Sequence, residues 1–139
     1  MRRKGSNDYE RALKASAWRR KHPYEDFPDW ADLTGANLAG VDLHSANLRW
    51  ADLYEADLTG ANLSGANFYG ADLYRANLGK AHLNGANLRW AGLREANLYG
   101  ANLREADLTR ADLTGVDLTG VDLGDWKIGP DGIARKKKS

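Results

Sequence analysis

The amino-acid sequence predicts an all-β solenoid, a chain coiled into stacked turns by a short repeated unit. Nineteen five-residue units follow one another without a gap over residues 31–125 of the 139 residues. Leu holds the third place in eighteen units, with Phe68 in the other, and Ala or Val always holds the first place. Asp or Asn holds the second place except at His82 and Gly92.

A period of five residues suits neither a straight helix nor a straight strand. A helix turns by about 100° per residue, so successive leucines would drift round every face. A strand alternates its faces, so an odd period would send each Leu to the opposite side. We therefore expect places 1 to 3 to be extended, with Ala and Leu inside, and places 4 and 5 to turn the chain. Nine glycines at place 5 favour such corners.

The tandem A(D/N)LXX pattern resembles the pentapeptide repeat family over 95 of the 139 residues. This resemblance implies a right-handed quadrilateral parallel β-helix with four units in each coil, so that nineteen units make about five coils. At about 4.8 Å between paired strands, the stack would be about 23 Å tall. Its core of Ala and Leu would leave no room for a ligand.

Residues 1–30 form a basic leader, with eight basic and five acidic side chains. Asn7 as an N-cap, Glu10 three residues later and apolar residues at four-residue spacing predict a helix over residues 7–21. Residues 23–30, with two prolines and three aromatic residues, would be an extended connector. The helix would cap the first coil, since a terminal coil exposes Leu and unpaired backbone. The alternative is a basic helix that binds nucleic acid or anionic lipid.

The period ends at Trp126, and residues 126–139 predict a C-terminal cap. Residues 126–128 and 133–135 would form a hairpin around a turn at 129–132 and cover the last coil. The lysines at 136–138 form either a solvated tail or a nucleic-acid contact.

Charge and composition narrow the class of protein. Residues 31–125 carry seven basic and thirteen acidic side chains, whereas both flanking segments are basic and the whole chain has a net charge of +1. The absence of Cys excludes disulfides and thiolate chemistry. No apolar run approaches the roughly 20 residues that a membrane span needs, and no secretory signal follows the basic start. We therefore expect a cytoplasmic protein that does not bind membranes.

The least repetitive side of the predicted coil carries two tryptophans. Trp50 and Trp90 are forty residues apart, which is two coils, and the small Gly70 lies between them. An exposed Trp pair beside Arg and Tyr has the composition of an interface hot spot. The alternative is that these side chains only stack on the outer wall. We call this candidate partner site the Trp50–Trp90 surface, and it consists of Arg49, Trp50, Tyr69, Arg89 and Trp90.

Two further columns of exposed side chains follow from the twenty-residue coil. The first is an acidic stripe, interrupted by Gly92, of Asp32, Asp52, Asp72 and Asp112. It is either a recognition surface or a structural habit of the repeat, in which the carboxylates accept nearby backbone N–H groups. The second column, Glu55, Arg75 and Glu95, alternates in sign and predicts a ladder of surface ion pairs.

The residues predict no catalytic, cofactor or metal site. Asp42, His44 and Ser45 are close in sequence, but one strand and its corner supply all three, so they do not converge as a triad. His44 and His82 would lie about 10 Å apart, two coils of about 4.8 Å, which is too far to share a metal. The glycines mark corners and do not precede a helix, so no phosphate-binding loop is present.

Function is therefore expected at the outer surface. Our first hypothesis is a non-enzymatic scaffold or protein-interaction module that contacts a protein partner through the Trp50–Trp90 surface. The resemblance also implies a second, a DNA mimic that modulates DNA gyrase or another topoisomerase. The short stack and the arginines of the body weigh against the mimic unless the protein dimerises, and we expect a monomer or a weak dimer. Nucleic-acid contact through the basic ends is a weaker hypothesis, since the acidic body would oppose it.

Overall fold

The computed structural model describes residues 32–138, so the predicted N-terminal helix and connector lie outside the described residues. Within this range, the repeat forms coils of twenty residues. Parallel bridges join the second place of each unit to the second place four units later, as from Asp52 to Asp72 and from Asp72 to Gly92. The twenty-residue spacing that the resemblance implied is therefore present.

Backbone hydrogen bonds of three kinds connect each coil to the next, one at the corners and two along the strand segments. Leu53 donates its N–H to the carbonyl of Asp72 at 2.7 Å, and Asp72 donates to Ala51 at 2.9 Å. The same pattern repeats along the stack and lengthens towards its C-terminal end, where Asp117 donates to Ala96 at 3.4 Å. Each strand segment is thus held on both sides by its neighbours in the stack.

A tight turn ends each unit. The N–H of Ala56 bonds to the carbonyl of Leu53 at 2.9 Å, and the corresponding bond recurs along the coil. In every unit up to residue 120, the fifth-place residue has a positive φ, as in a type II turn, whether it is a glycine such as Gly60 (68°) or a larger residue such as Trp50 (61°). These turns make the four corners of the coil and point their side chains outwards.

The core is a sealed column of first-place and third-place side chains. Leu53, Phe68 and Leu83 are fully buried, and the first-place alanines from Ala36 to Ala111 are at most 3% exposed. Only towards the end of the stack do third-place residues, Leu118 and Leu123, become partly exposed. The first-place and third-place side chains are therefore buried in the core, and the corner side chains remain available for contact with other molecules.

An antiparallel hairpin follows the last unit, with strands β1 (Trp126–Ile128) and β2 (Ala134–Lys136). Trp126 is 7% exposed and donates its indole N–H to the carbonyl of Ala106 at 3.0 Å, one coil above it. The predicted second strand began one residue too early, at Ile133. Ile133 instead bridges Asp112 of the coil, because the neighbouring Gly132 carbonyl accepts the N–H of Leu113 at 2.8 Å.

No helix within residues 32–138 is long and apolar enough to cross a membrane.

Candidate partner-binding surface

The Trp50–Trp90 surface lies on one corner of the coil, where fifth-place residues 50, 70, 90 and 110 stack. The backbone of this corner is held from coil to coil. Trp50 donates its N–H to the Tyr69 carbonyl at 2.9 Å, and Trp90 donates to Thr109 at 3.0 Å. The five predicted residues are therefore brought together on one side of the molecule.

The second-place Asn side chains fix the same corner from within each unit. The side-chain oxygens of Asn47, Asn67 and Asn87 accept the N–H groups two residues later at 3.0–3.1 Å. Those N–H groups belong to Arg49, Tyr69 and Arg89. The backbone that carries the surface is thus fixed by hydrogen bonds within each unit.

Both tryptophans are largely exposed, Trp50 by 61% and Trp90 by 53%. The Trp50 ring reaches across the corner into the space above Gly70, where a Cβ atom would overlap with its six-membered ring. Trp50 also makes an edge-to-face contact with Tyr69, with ring centroids 5.5 Å apart. The Trp50 ring therefore packs over Gly70. The sequence showed that a small residue lies between the two tryptophans, but not that a ring covers it.

Guanidinium groups surround the aromatic rings. Arg49 lies over the Tyr69 ring at 5.4 Å from its centroid, and Arg110 lies over the Trp90 ring at 5.5 Å. Arg89 makes a long ion pair with Asp107, 3.9 Å between Nε and Oδ2. Arg110 adjoins the surface although we did not predict it there. The twenty-residue period could have predicted its position, because residue 110 lies one coil after residue 90.

Asp107 is the carboxylate on this side of the coil. Burial raises the pKa of Asp107, but hydrogen bonds from the Thr109 hydroxyl and amide and the charge of Arg89 outweigh that effect and lower the pKa overall. The Thr109 hydroxyl donates to Asp107 at 2.5 Å. Asp107 therefore stays ionised and is engaged mainly by its own turn.

The structure also aligns the acidic stripe of Asp32, Asp52, Asp72 and Asp112, with Gly92 bridging its gap. Each carboxylate accepts the backbone N–H two residues later at 3.0–3.2 Å. Asp112 also accepts the Thr114 hydroxyl at 2.6 Å, and this bond lowers the pKa of Asp112. Turn formation thus accounts for aspartates at these places, without requiring a recognition role.

The predicted ladder of Glu55, Arg75 and Glu95 forms in one half only. Arg75 and Glu95 approach to 3.7 Å, whereas no ion pair joins Glu55 to Arg75 in the described part of the chain. The Arg75 guanidinium lies over the Tyr74 ring at 5.3 Å, and Tyr74 in turn stacks on Tyr54. Aromatic stacking therefore replaces the second ion pair.

Within the described residues, His44 contacts only the carboxylate of its own unit. The His44 ring nitrogen Nδ1 lies 2.7 Å from the Asp42 carboxylate, both side chains are exposed, and this bond lowers the pKa of Asp42. In residues 32–138, no group of three or more His, Asp and Glu side chains is placed to hold a metal ion.

A stacked coil with a sealed core and an exposed aromatic corner defines a β-solenoid of the repeat-protein class. A family model for pentapeptide repeats matches residues 29–60, 51–89 and 86–125 in eight copies. The chain belongs to the pentapeptide repeat family, whose members form right-handed β-helices. Such proteins are generally structural or interaction scaffolds.

Solved structures of other pentapeptide repeat proteins support membership of this family. A pentapeptide repeat protein from the thylakoid lumen of Arabidopsis thaliana is 34% identical, with a TM-score of 0.68 over 73% of this chain and 70% of that chain. Rfr23 from the cyanobacterium Cyanothece 51142 is 38% identical, with a TM-score of 0.60 over 63% and 58%. A pentapeptide repeat protein from Nostoc PCC 7120 is 31% identical, with a TM-score of 0.50 over 79% and 93%. Comparison with curated protein sequences gives no match.

Proposed function

We propose that this protein is a non-enzymatic interaction scaffold that binds a protein partner through the Trp50–Trp90 surface. The observation that carries the proposal is the exposure of Trp50 (61%) and Trp90 (53%) on one corner of a rigid coil. Clusters of large exposed apolar side chains mark interaction sites on protein surfaces, and Trp, Tyr and Arg are enriched in hot spots.

The backbone conformation at these positions makes tryptophan a costly residue, as it does any side chain at a fifth place. Trp50 and Trp90 have φ values of 61° and 60°, in the left-handed region that glycine adopts without strain. A side chain there costs roughly 1–2 kcal/mol. Glycine fills the equivalent place at Gly70, so tryptophan at this corner is not required to make the turn.

Mimicry of duplex DNA towards a topoisomerase is the second proposed function, and the acidic stripe is the feature that favours it. Two observations oppose it. The stripe is interrupted at Gly92, and its carboxylates are already engaged by backbone N–H groups of their own turns, as Asp52 is by Tyr54. We therefore place protein binding through the Trp50–Trp90 surface first.

Comparative capture tests the first proposal. Wild-type protein, the Trp50→Ala/Trp90→Ala variant and a Tyr99→Ala control are immobilised and exposed to the same extract of the cells that make the protein. Tyr99 is also exposed, by 48%, but stands on a different corner. We expect one polypeptide to be retained by the wild type and the control and lost by the double variant. Equal retention by all three would contradict the proposal.

A supercoiling assay separates the second proposal from the first. DNA gyrase is assayed with increasing amounts of wild-type protein and of an Asp52→Asn/Asp72→Asn variant. The DNA mimic predicts inhibition by the wild type that weakens in the variant. The interaction scaffold predicts no effect of either protein at a large molar excess.

A further inference from the structure

The corner that carries the two tryptophans also concentrates positive charge. Residues 31–125 contain seven basic side chains against thirteen acidic ones. Three of those seven, Arg49, Arg89 and Arg110, stand on this corner. Asp107 is also there and pairs with Arg89. The Trp50–Trp90 surface is thus a basic, aromatic strip on an otherwise acidic body.

The charges of this strip are poorly neutralised within the described residues. Arg49 and Arg110 make no ion pair in that range, and their guanidinium groups rest on the Tyr69 and Trp90 rings instead. The Nε of Arg49 is buried without a hydrogen-bond partner. Arg89 reaches Asp107 only at 3.9 Å, the limit of an ion pair, and Asp107 is already occupied by Thr109. Arg49 and Arg110 therefore have no carboxylate partner within residues 32–138, and the carboxylates of a binding partner can pair with them.

We propose that the Trp50–Trp90 surface binds a short acidic segment of a partner protein, an inference that rests on the proposed function and names the partner's chemistry. From Trp50 to Arg110 the corner rises three coils, about 14 Å at about 4.8 Å per coil. An extended peptide of about four residues spans that length at about 3.3 Å per residue. Its carboxylates pair with the arginines, and its apolar groups cover the tryptophans.

A short peptide fits this strip better than a nucleic-acid strand, although stacking bases and paired phosphates would use the same residue types. A nucleic-acid strand carries a phosphate at every nucleotide and extends beyond the strip. It would then meet the carboxylates of the neighbouring side, such as Asp52 and Asp72, which accept backbone N–H groups and remain exposed. A short segment with two or three carboxylates matches the arginines and brings fewer negative charges near those aspartates.

Selection from a phage library of random eight-residue peptides tests the inference. The full chain is the target, and the Trp50→Ala/Trp90→Ala variant removes peptides that bind elsewhere. We expect the recovered peptides to contain Asp and Glu at about twice their frequency in the starting library or more. Recovery of neutral or basic peptides that need the tryptophans would overturn the acidic partner while leaving the proposed function standing. Recovery of no peptide that distinguishes the two proteins would overturn both.

Affinity measurements on a recovered peptide then locate the charges. Arg49→Gln, Arg89→Gln and Arg110→Gln should each weaken binding about two- to five-fold, as expected for exposed charge pairs. Arg104→Gln is the matched control, because Arg104 stands on another corner and pairs with Asp122 at 3.8 Å. Loss of affinity equal to that of the control would contradict the assignment.

A labelled single-stranded oligothymidylate serves as the competing ligand. We expect it to bind at least ten-fold more weakly than the recovered acidic peptide at the same salt concentration. Tighter binding of the oligonucleotide, lost in the Trp50→Ala/Trp90→Ala variant, would assign the strip to nucleic acid and overturn the protein partner.

Discussion

Fifth-place side chains stand on backbone that glycine adopts most easily, and this single fact shapes the surface of the coil. Nine non-glycine residues have φ values between 56° and 62°, among them Trp50, Trp90 and Arg110. Each carries a strain cost of roughly 1–2 kcal/mol relative to glycine. The side chains at these corners therefore reduce the stability of the coil, and the proposed binding of a partner offsets this cost at Trp50, Trp90 and Arg110.

Gly70→Ala should disturb Trp50 specifically. The added methyl group strains a φ of 65° and overlaps with the Trp50 ring, so we expect a loss of more than about 1 kcal/mol in the free energy of unfolding. The indole N–H signal of Trp50 should also move in an NMR spectrum. Gly60→Ala is the matched control, because its φ is 68° but no atom lies within 4 Å of the new methyl group. An unchanged Trp50 signal in Gly70→Ala would show that the ring does not rest on Gly70.

Gly92→Asn should stabilise the protein. Gly92 has no positive φ, and a Cβ there meets open space. An Asn side chain could accept the N–H of Arg94, as Asn102 accepts that of Arg104 at 3.0 Å. Removing a flexible glycine and adding this bond should raise the free energy of unfolding by about 0.5–1 kcal/mol in urea denaturation. A decrease would mean that the bare position is needed by the fold.

The Asp and Asn residues act at the scale of the strand-and-turn unit, where each closes a turn through its side-chain oxygen. Asp112 accepts both the N–H and the hydroxyl of Thr114. Asp112→Ala should therefore lower the free energy of unfolding by about 1 kcal/mol at neutral pH, whereas Asp112→Asn should change it little. Similar losses in both variants would indicate that the charge matters, and not the turn.

Acid titration gives an independent check of the same bonds. The folded-state pKa values of Asp107, Asp112 and Asp117 are lowered from the usual 3.8. Groups with a lowered folded pKa stabilise the protein above the unfolded value and lose that contribution as the pH falls through the folded value. The free energy of unfolding should thus be flat above about pH 5 and decline below about pH 4, and the decline should be shallower in Asp112→Asn. Equal slopes in the two proteins would contradict the role of Asp112.

Burial along the stack predicts a graded response to truncation of its leucines. Leu73 is fully buried, so Leu73→Ala should cost about 2–5 kcal/mol of unfolding free energy. Leu118 occupies the same place in a later unit but is partly exposed, so Leu118→Ala should cost clearly less. Urea denaturation followed by circular dichroism measures both. Equal losses would mean that the last units are as tightly packed as the middle of the stack.

For the whole molecule, the five-residue period was enough to predict the coil. All the leucines are buried together only if the chain turns after the third place of each unit. The four sides of the coil were implied by the resemblance to the pentapeptide repeat family. The structure agrees, because its bridges join residues that are twenty apart. Side-chain direction at the corners was harder to predict. Nothing in the period shows that Trp50 leans over Gly70 or that Arg75 stacks on Tyr74, because such choices depend on contacts between coils.

The boundary between the repeat and the hairpin was also only partly predictable from the sequence. Trp126 was predicted to cover the last coil, and its bond to Ala106 holds it there. The start of the second strand was misplaced by one residue, since Ile133 pairs with Asp112 of the coil and leaves β2 to begin at Ala134. Local pattern could not reveal this competition between two backbone partners.

Site-specific photo-crosslinking of the protein with its captured partner tests whether the Trp50–Trp90 surface is where the partner binds. A photoreactive benzoylphenylalanine replaces one exposed fourth-place residue at a time, Arg89, Tyr99 or Arg104, each on a different corner of the coil. Binding through the Trp50–Trp90 surface predicts a crosslink to the partner from position 89 and none from positions 99 and 104. A crosslink from position 99 or 104, with none from position 89, would place the partner on another side of the coil and contradict binding through the Trp50–Trp90 surface.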